Sequence, residues 1–413
     1  MSIRTARRGL VLLALGLAAS LALAQAAGAA RTVYFADPSA DTIAQFAVGP
    51  GGTLTPLVPG SVAADRPLRL AMTPEGHDLY ASADDGILQY NVDSEGHLTP
   101  KSPPLQPVSG VPYSIAIHPN GASAYVTELR RGRVLQYNVA GGGGLEPKDP
   151  AAVDAGELPT GIALRPNGLT AYALVRGGIA VFDVGGDGGL VRRPGLVEAP
   201  RSRLMDLAFT PDGRNLYATS LRGEVLQFSV GDDGTPLPKS PAELDLGRGA
   251  RPIGIAVVPD GSAVYVASRG EEEEDDDDGQ PSVFAFAVGP DGSLTPGPTP
   301  ALPVPRSRLS FLTASPDGKS LFAAGGDGYL FDVGAGATLA RKASPAVDLR
   351  GAFGVVVSPN QAPIANFSTA ASAIAGEPTQ FDASSAFDPD GFIVRYDWDF
   401  GDGSGLLDGG PTP

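Results

Sequence analysis

SIAIHPNGASAYVTELRRGRVLQYNVAGGGGLEPK, residues 114–148, is the stretch whose reading decides the fold. It contains a small-apolar run, a Pro-x-Gly turn, two runs that each carry an aromatic residue, a Gly-rich turn and a short polar run. The turn prolines of successive copies are Pro74, Pro119, Pro166, Pro211, Pro259, Pro316 and Pro359, spaced 45, 47, 45, 48, 57 and 43 residues apart. The first six are followed two residues later by Gly76, Gly121, Gly168, Gly213, Gly261 and Gly318. Proline presets φ near −65° and glycine tolerates positive φ, so each pair marks a tight turn between antiparallel strands.

A period of this length with four strand-sized pieces per copy predicts a β-propeller. Three residues before the anchor stand Ala71, Ala116, Ala163, Ala208 and Ala256, then Thr313 and Val356. Small residues suit an innermost strand, where blades converge. Six residues after it stand Tyr80, Tyr125, Tyr172, Tyr217, Tyr265 and Phe322, and the third strand adds Phe46, Tyr90, Tyr137, Phe182, Phe228, Phe286 and Phe331. One ring per fixed place reads as core between blades. Residues 33–36 resemble a second strand without a first, and 352–359 a first strand without a second. Their pairing predicts seven blades and about 28 strands over 32–359, closed so that the sheet has no free edge.

The first 30 residues read as a secretory signal peptide: Arg4, Arg7 and Arg8, an apolar run of 16 residues at 9–24, then small residues. Twin-arginine export is a weaker reading of Arg7-Arg8, and a retained anchor is the rival. The expected location is secreted or cell-surface, with no membrane span in the mature chain. Loss of those three arginines takes the net charge from −16 to −19. So acidic a surface repels nucleic acid. Absence of cysteine excludes disulfides, thiolate metal sites and cysteine nucleophiles. The run EEEEDDDDG at 271–279 interrupts the sixth copy between its second and third strands and reads as a solvated loop.

Residues expected at one mouth of the channel are Arg66, Tyr113, Ser114, Thr160, Arg203, Arg251 and Arg308, with Glu128, Arg130, Arg131, Arg176 and Arg222 from neighbouring loops. Arginines recurring there fit attraction of a small anion; the alternative is pairing with local carboxylates. His77, His97 and His118 fall on the opposite face and form no metal cluster. No Gly-x-Ser-x-Gly elbow, phosphate loop or zinc pattern appears.

Residues 32–359 resemble the seven-bladed lactonase-like propellers, which include 6-phosphogluconolactonase, and the looser YVTN-type surface propellers. The phrases that carry the resemblance are GHLTPKSPP at 96–104, HPNGASAYVTEL at 118–129 and VLQYNV at 134–139. Pro112, His118, Pro119, Asn120, Gly121, Tyr125, Val126, Glu128 and Leu129 match the family segment. Tyr113 and Ser114 stand where that family has Arg and His, and Thr127 where it has Asn. Of the polar mouth residues that the resemblance implies, Glu128 alone remains as a catalytic candidate, without an acid partner.

AP-x-A-x-F at 362–367, FDASSAFDPDG at 381–391 and YDWDFGDG at 396–403 resemble the PKD domain, an immunoglobulin-like sandwich that serves as an interaction unit or spacer. Only 53 residues remain from 361 to 413, against about 100 for an immunoglobulin-like sandwich, so the expectation is either a shortened module, poorly ordered in isolation, or a fragment of a longer protein. Asp388, Asp390, Asp399 and Asp402 read as turn carboxylates or as Ca²⁺ ligands, and Ca²⁺ is the one cofactor left open.

The expectation is a monomeric, exported propeller that binds a small-molecule or cell-envelope ligand without catalysis. The alternative is a lactonase-like hydrolase of a sugar lactone or related cyclic ester, and a third reading is a structural envelope component.

Overall fold

The computed structural model describes residues 31–359 apart from 50–51, 200–202, 271–279, 305–307 and 343–346. Beyond 359 it describes 365–369, 381–386, 397–398 and 407–408. The candidate Ca²⁺ ligands Asp388, Asp390, Asp399 and Asp402, the signal peptide and the acidic run lie outside the described residues.

Seven antiparallel sheets follow one another along the chain. Blade 1 is built from both ends: inner strand Gly354–Val357, then Thr32–Asp37, Thr42–Val48 and Leu54–Ala63. Tyr34 pairs with Val356 and Val33 with Val357. The Phe353 N–H donates to Ala36 O at 2.9 Å, and the Thr32 N–H to Ser358 Oγ at 2.9 Å. Inner strands of successive blades touch all the way round, so the ring is closed as the two half-copies predicted.

The inner strands of blades 2 to 7 are Leu70–Met72, Pro112–Ile117, Gly161–Leu164, Leu204–Phe209, Pro252–Val257 and Leu312–Ala314. Two blades depart from four clean strands. In blade 4 the outer strand breaks into Leu190–Arg192 and Val197–Glu198, around Pro194, which has no N–H, and Gly195 at φ 80°. In blade 7 the second and third strands run on as Ser320–Gly334 through a glycine-rich hairpin.

The core is distributed. Among the described residues, seven apolar clusters form, one at each seam between blades. Each second-strand ring fills the seam with the next blade: Tyr34, Tyr80, Tyr125, Tyr172, Tyr217, Tyr265 and Phe322. Each third-strand ring fills the seam with the preceding blade. Both sets are buried, as expected for core.

Polar ties repeat across the seams. The hydroxyls of Tyr80, Tyr125, Tyr172 and Tyr217 donate to Gly143, Gly188, Gly234 and Gly292 O of the next blade at 2.6–2.7 Å. Tyr265 reaches Thr338 O at 3.4 Å. Burial pushes these phenols up, Tyr125 to about 12, so they remain donors.

Gln45, Gln89, Gln136 and Gln227 sit where the ladder between third and fourth strands skips a residue. Each amide donates to a proline carbonyl of its own outer strand (Pro59, Pro103, Pro150, Pro241). Each amide oxygen also accepts an N–H from the next blade, from Leu98, Leu145, Leu190 and Leu294 at 2.6–2.7 Å. The side chain thus replaces backbone bonds that the bulge removes. In blade 6, Ala285 holds this position.

In the tail, Trp398 is 9 % exposed, and its ring meets Phe367 and Phe381 at centroid distances of 6.0 and 5.8 Å.

Candidate functional site

Inner strands start at one face of the ring, the mouth, and end at the Pro-x-Gly turns on the other. His118 lies on the turn face, with Nε2 3.0 Å from Gly168 O and Nδ1 accepting the Asn120 N–H. His77 and His97 also border turns there.

Five residues before each anchor proline the chain reaches the channel. Around the ring this position is Gly354, Arg69, Ser114, Gly161, Asp206, Gly254 and Phe311. Glycine serves backbone crowding here: a Cβ on Gly354 would lie 2.2 Å from Leu68 O. Arg69 of blade 2 crosses the channel to Asp206 of blade 5, with Nη2 to Oδ1 at 2.9 Å. The two side chains are 12 % and 16 % exposed. Asp206 Oδ2 also accepts the Ile255 N–H of blade 6 at 3.2 Å.

Aromatic side chains flank this bridge. The Arg69 guanidinium carbon stands 3.3 Å from the centroid of the Phe311 ring and 6.0 Å from that of Tyr113. Phe311 in turn meets Phe353 edge to face at 5.2 Å. Burial pushes the Tyr113 phenol up; Asp206 adds to the shift, and the nearby Arg69 and Arg269 guanidinium groups oppose it. Arg69 Nε and Arg269 Nε are buried and have no hydrogen-bond acceptor among the described residues. Arg69, Tyr113, Asp206, Arg269, Phe311 and Phe353 therefore bring six residues from six blades to one mouth.

Neighbouring hydroxyls hold this ring in place. Ser82 Oγ donates to Tyr113 O at 2.8 Å and accepts the Arg69 N–H at 3.1 Å. Thr219 Oγ1 donates to Ile253 O and accepts the Asp206 N–H. Ser114, expected at the mouth, is buried, and its N–H donates to Thr127 Oγ1 at 2.9 Å. Thr160 Oγ1 donates to Leu204 O.

Arg66, Arg203, Arg251 and Arg308 lie eight residues before their anchors, on the exposed rim. Arg66 pairs with Asp84 at 2.7 Å, both exposed. Arg176 pairs with Glu157 at 2.9 Å. Glu128 is fully buried: Arg133 binds one carboxylate oxygen, Arg131 Nε stands 3.6 Å from the other, and Gly110 packs so close that a Cβ there would overlap Oε1. Arg131 is itself held by Ser109.

Of the expected mouth residues, Tyr113 lies in the converging cluster. Arg69, Asp206, Arg269, Phe311 and Phe353 were missed. Aligning the copies five residues before the proline would have found three of them, as the large or charged side chains in a column otherwise of Gly and Ser. Among the described residues no group of three or more His, Asp or Glu could hold a metal ion, and no helix is long and apolar enough to cross a membrane.

A family model described as PKD domain matches residues 360–412. No curated protein matches the chain. A 6-phosphogluconolactonase candidate from Bacteroides uniformis superposes with TM-score 0.65 at 21 % identity, covering 80 % of this chain and 99 % of its own. Another, from Bacteroides fragilis, gives 0.65 at 17 %, covering 81 % and 99 %. The periplasmic gluconolactonase PpgL of Pseudomonas aeruginosa gives 0.52 at 18 %, covering 83 % and 96 %. The likeness at these identities is one of fold: the chain shares the seven-bladed architecture of the lactonase-like propellers and carries a stretch that matches the PKD domain.

Proposed function

We propose that this chain is an exported binding or surface-interaction protein, without catalytic activity, whose channel mouth takes a small anionic ligand. The observation that carries the reading is the state of the carboxylates. A general base needs a carboxylate within hydrogen-bond reach of the proton it removes. Asp206 is engaged by Arg69 and the Ile255 N–H; Glu128 is fully buried, with Oε2 bound by Arg133 and with Oε1, which accepts no hydrogen bond among the described residues, closed off by Gly110. Arg269 Nε meanwhile is a buried donor that no group among the described residues accepts. That is an arrangement for recognition. The apolar leader and the match to a PKD domain support export and display at the cell surface, with a small molecule or an envelope component as ligand.

The test is purified protein on a panel of sugar lactones, with Glu128→Gln and Asp206→Asn beside it. No turnover above the spontaneous rate is expected. Turnover lost in either variant, with the fold intact by circular dichroism, would establish the lactonase reading instead.

A further inference from the structure

We propose that the mouth selects a ligand bearing one negative charge, a carboxylate on a ring-shaped body, and that the Arg269 guanidinium anchors it. The inference rests on the reading of the mouth as a ligand site and adds the class of ligand.

Charge decides the first part. Inside the exposed rim arginines, three half-buried ionised side chains lie at the mouth among the described residues: Arg69, Arg269 and Asp206. Arg69 is balanced by Asp206 across the channel, whereas among the described residues the Arg269 side chain has no ion-pair partner and its buried Nε has no acceptor. Among these three the surplus is one positive charge. Tyr113 does not cancel it, because burial keeps its phenol protonated at neutral pH. One carboxylate restores neutrality. A phosphate would place a second negative charge beside Asp206, on a chain already strongly acidic.

The donors fit the same ligand. A buried N–H without a protein acceptor is completed by a water, an ion or a ligand. The planar guanidinium fork matches a carboxylate in bidentate geometry. At the same mouth, Tyr113 and Phe353 are half-buried, while the face of Phe311 is already covered by Arg69. Two partly open rings at the mouth that holds the anchored carboxylate favour a ring-shaped body over a bare acid.

Isothermal titration on the full chain at fixed ionic strength tests this, with benzoate, gluconate in its open form, acetate, gluconate 6-phosphate and inorganic phosphate as probes. Benzoate is expected to bind at least ~10-fold more tightly than acetate, open-chain gluconate or either phosphate compound, the size of one charge-assisted contact. Arg269→Gln should weaken benzoate by a similar factor. Asp206→Asn raises the surplus to two positive charges and should shift preference toward gluconate 6-phosphate by about tenfold. A phosphate compound binding as tightly as benzoate overturns the charge argument while leaving the mouth a ligand site. Unchanged benzoate affinity in Arg269→Gln overturns the anchor. Binding of none of the five probes removes the underlying reading as well. Should Asp206→Asn fail to fold, the wild-type ranking and Arg269→Gln decide alone.

Discussion

Replacing Tyr217 by Phe removes one oxygen and leaves the ring in place. The native hydroxyl donates to Gly292 O at 2.7 Å, both groups sealed in the seam between blades 5 and 6. The ring is 0 % exposed, so its packing is retained. What is lost is one buried bond, and an acceptor is left unpaired, which costs about 1–3 kcal/mol. Gly292 is itself buried, so water does not readily replace the lost donor and the expected loss is about 1–3 kcal/mol. The internal control is Tyr265→Phe. Its hydroxyl stands 3.4 Å from Thr338 O, a weak bond, and its removal should cost under about 0.5 kcal/mol. The blade 7 copy already has Phe322, which makes the ring without the hydroxyl a tolerated state. Equilibrium urea unfolding by far-UV circular dichroism reads both variants as shifts in midpoint at constant slope. Equal losses in the two, or none in Tyr217→Phe, would refute the claim that the hydroxyls tie blade to blade.

Gln136→Ala orphans both the Leu190 N–H and Pro150 O; a loss of about 2 kcal/mol is expected, with hydrogen exchange at the Leu190 amide accelerated first. Acid should weaken the turn face. The Asp233 and Asp291 carboxylates are held below the ordinary value of 3.8, first by the N–H groups of Thr235 and Ser293. A depressed folded pKa gives stability that is full above the unfolded value and lost as pH falls through the folded one. The urea midpoint should therefore decline below about pH 4, and less steeply in Asp291→Asn. Trp398 is the sole tryptophan, so its emission should be blue-shifted and its thermal transition should report the small Phe367–Phe381–Trp398 core alone.

The blade count and the closure were legible because a proline-glycine turn and two rings recur at constant offsets, and offsets survive substitution. The seam ties were not. Gln136 lies inside VLQYNV, a phrase that looks like ordinary strand, and only the skipped register shows that its amide stands in for backbone. At the mouth, the arginines chosen by their recurrence, Arg66, Arg203, Arg251 and Arg308, repeat because the rim is solvated and tolerates charge. The converging residues, Arg69, Asp206 and Phe311, occupy one column three positions closer to the turn and differ from blade to blade, as cross-channel partners must. Repetition reveals what every blade shares, and a site at the axis is made of what the blades do not share. Arg269 was hidden for another reason: it follows a second strand and borders the acidic run, where length differs from copy to copy.

The closing blade also sets the molecule's polarity. Because Val33 pairs with Val357 in opposed directions, the chain enters the propeller at Thr32 and leaves it after Ser358 on the same side, that of the Pro-x-Gly turns. Anything joined to either end pulls from that side. The arginine-bearing opening points the other way, so tethering the wheel by its ends would leave that opening turned outward, toward whatever diffuses past.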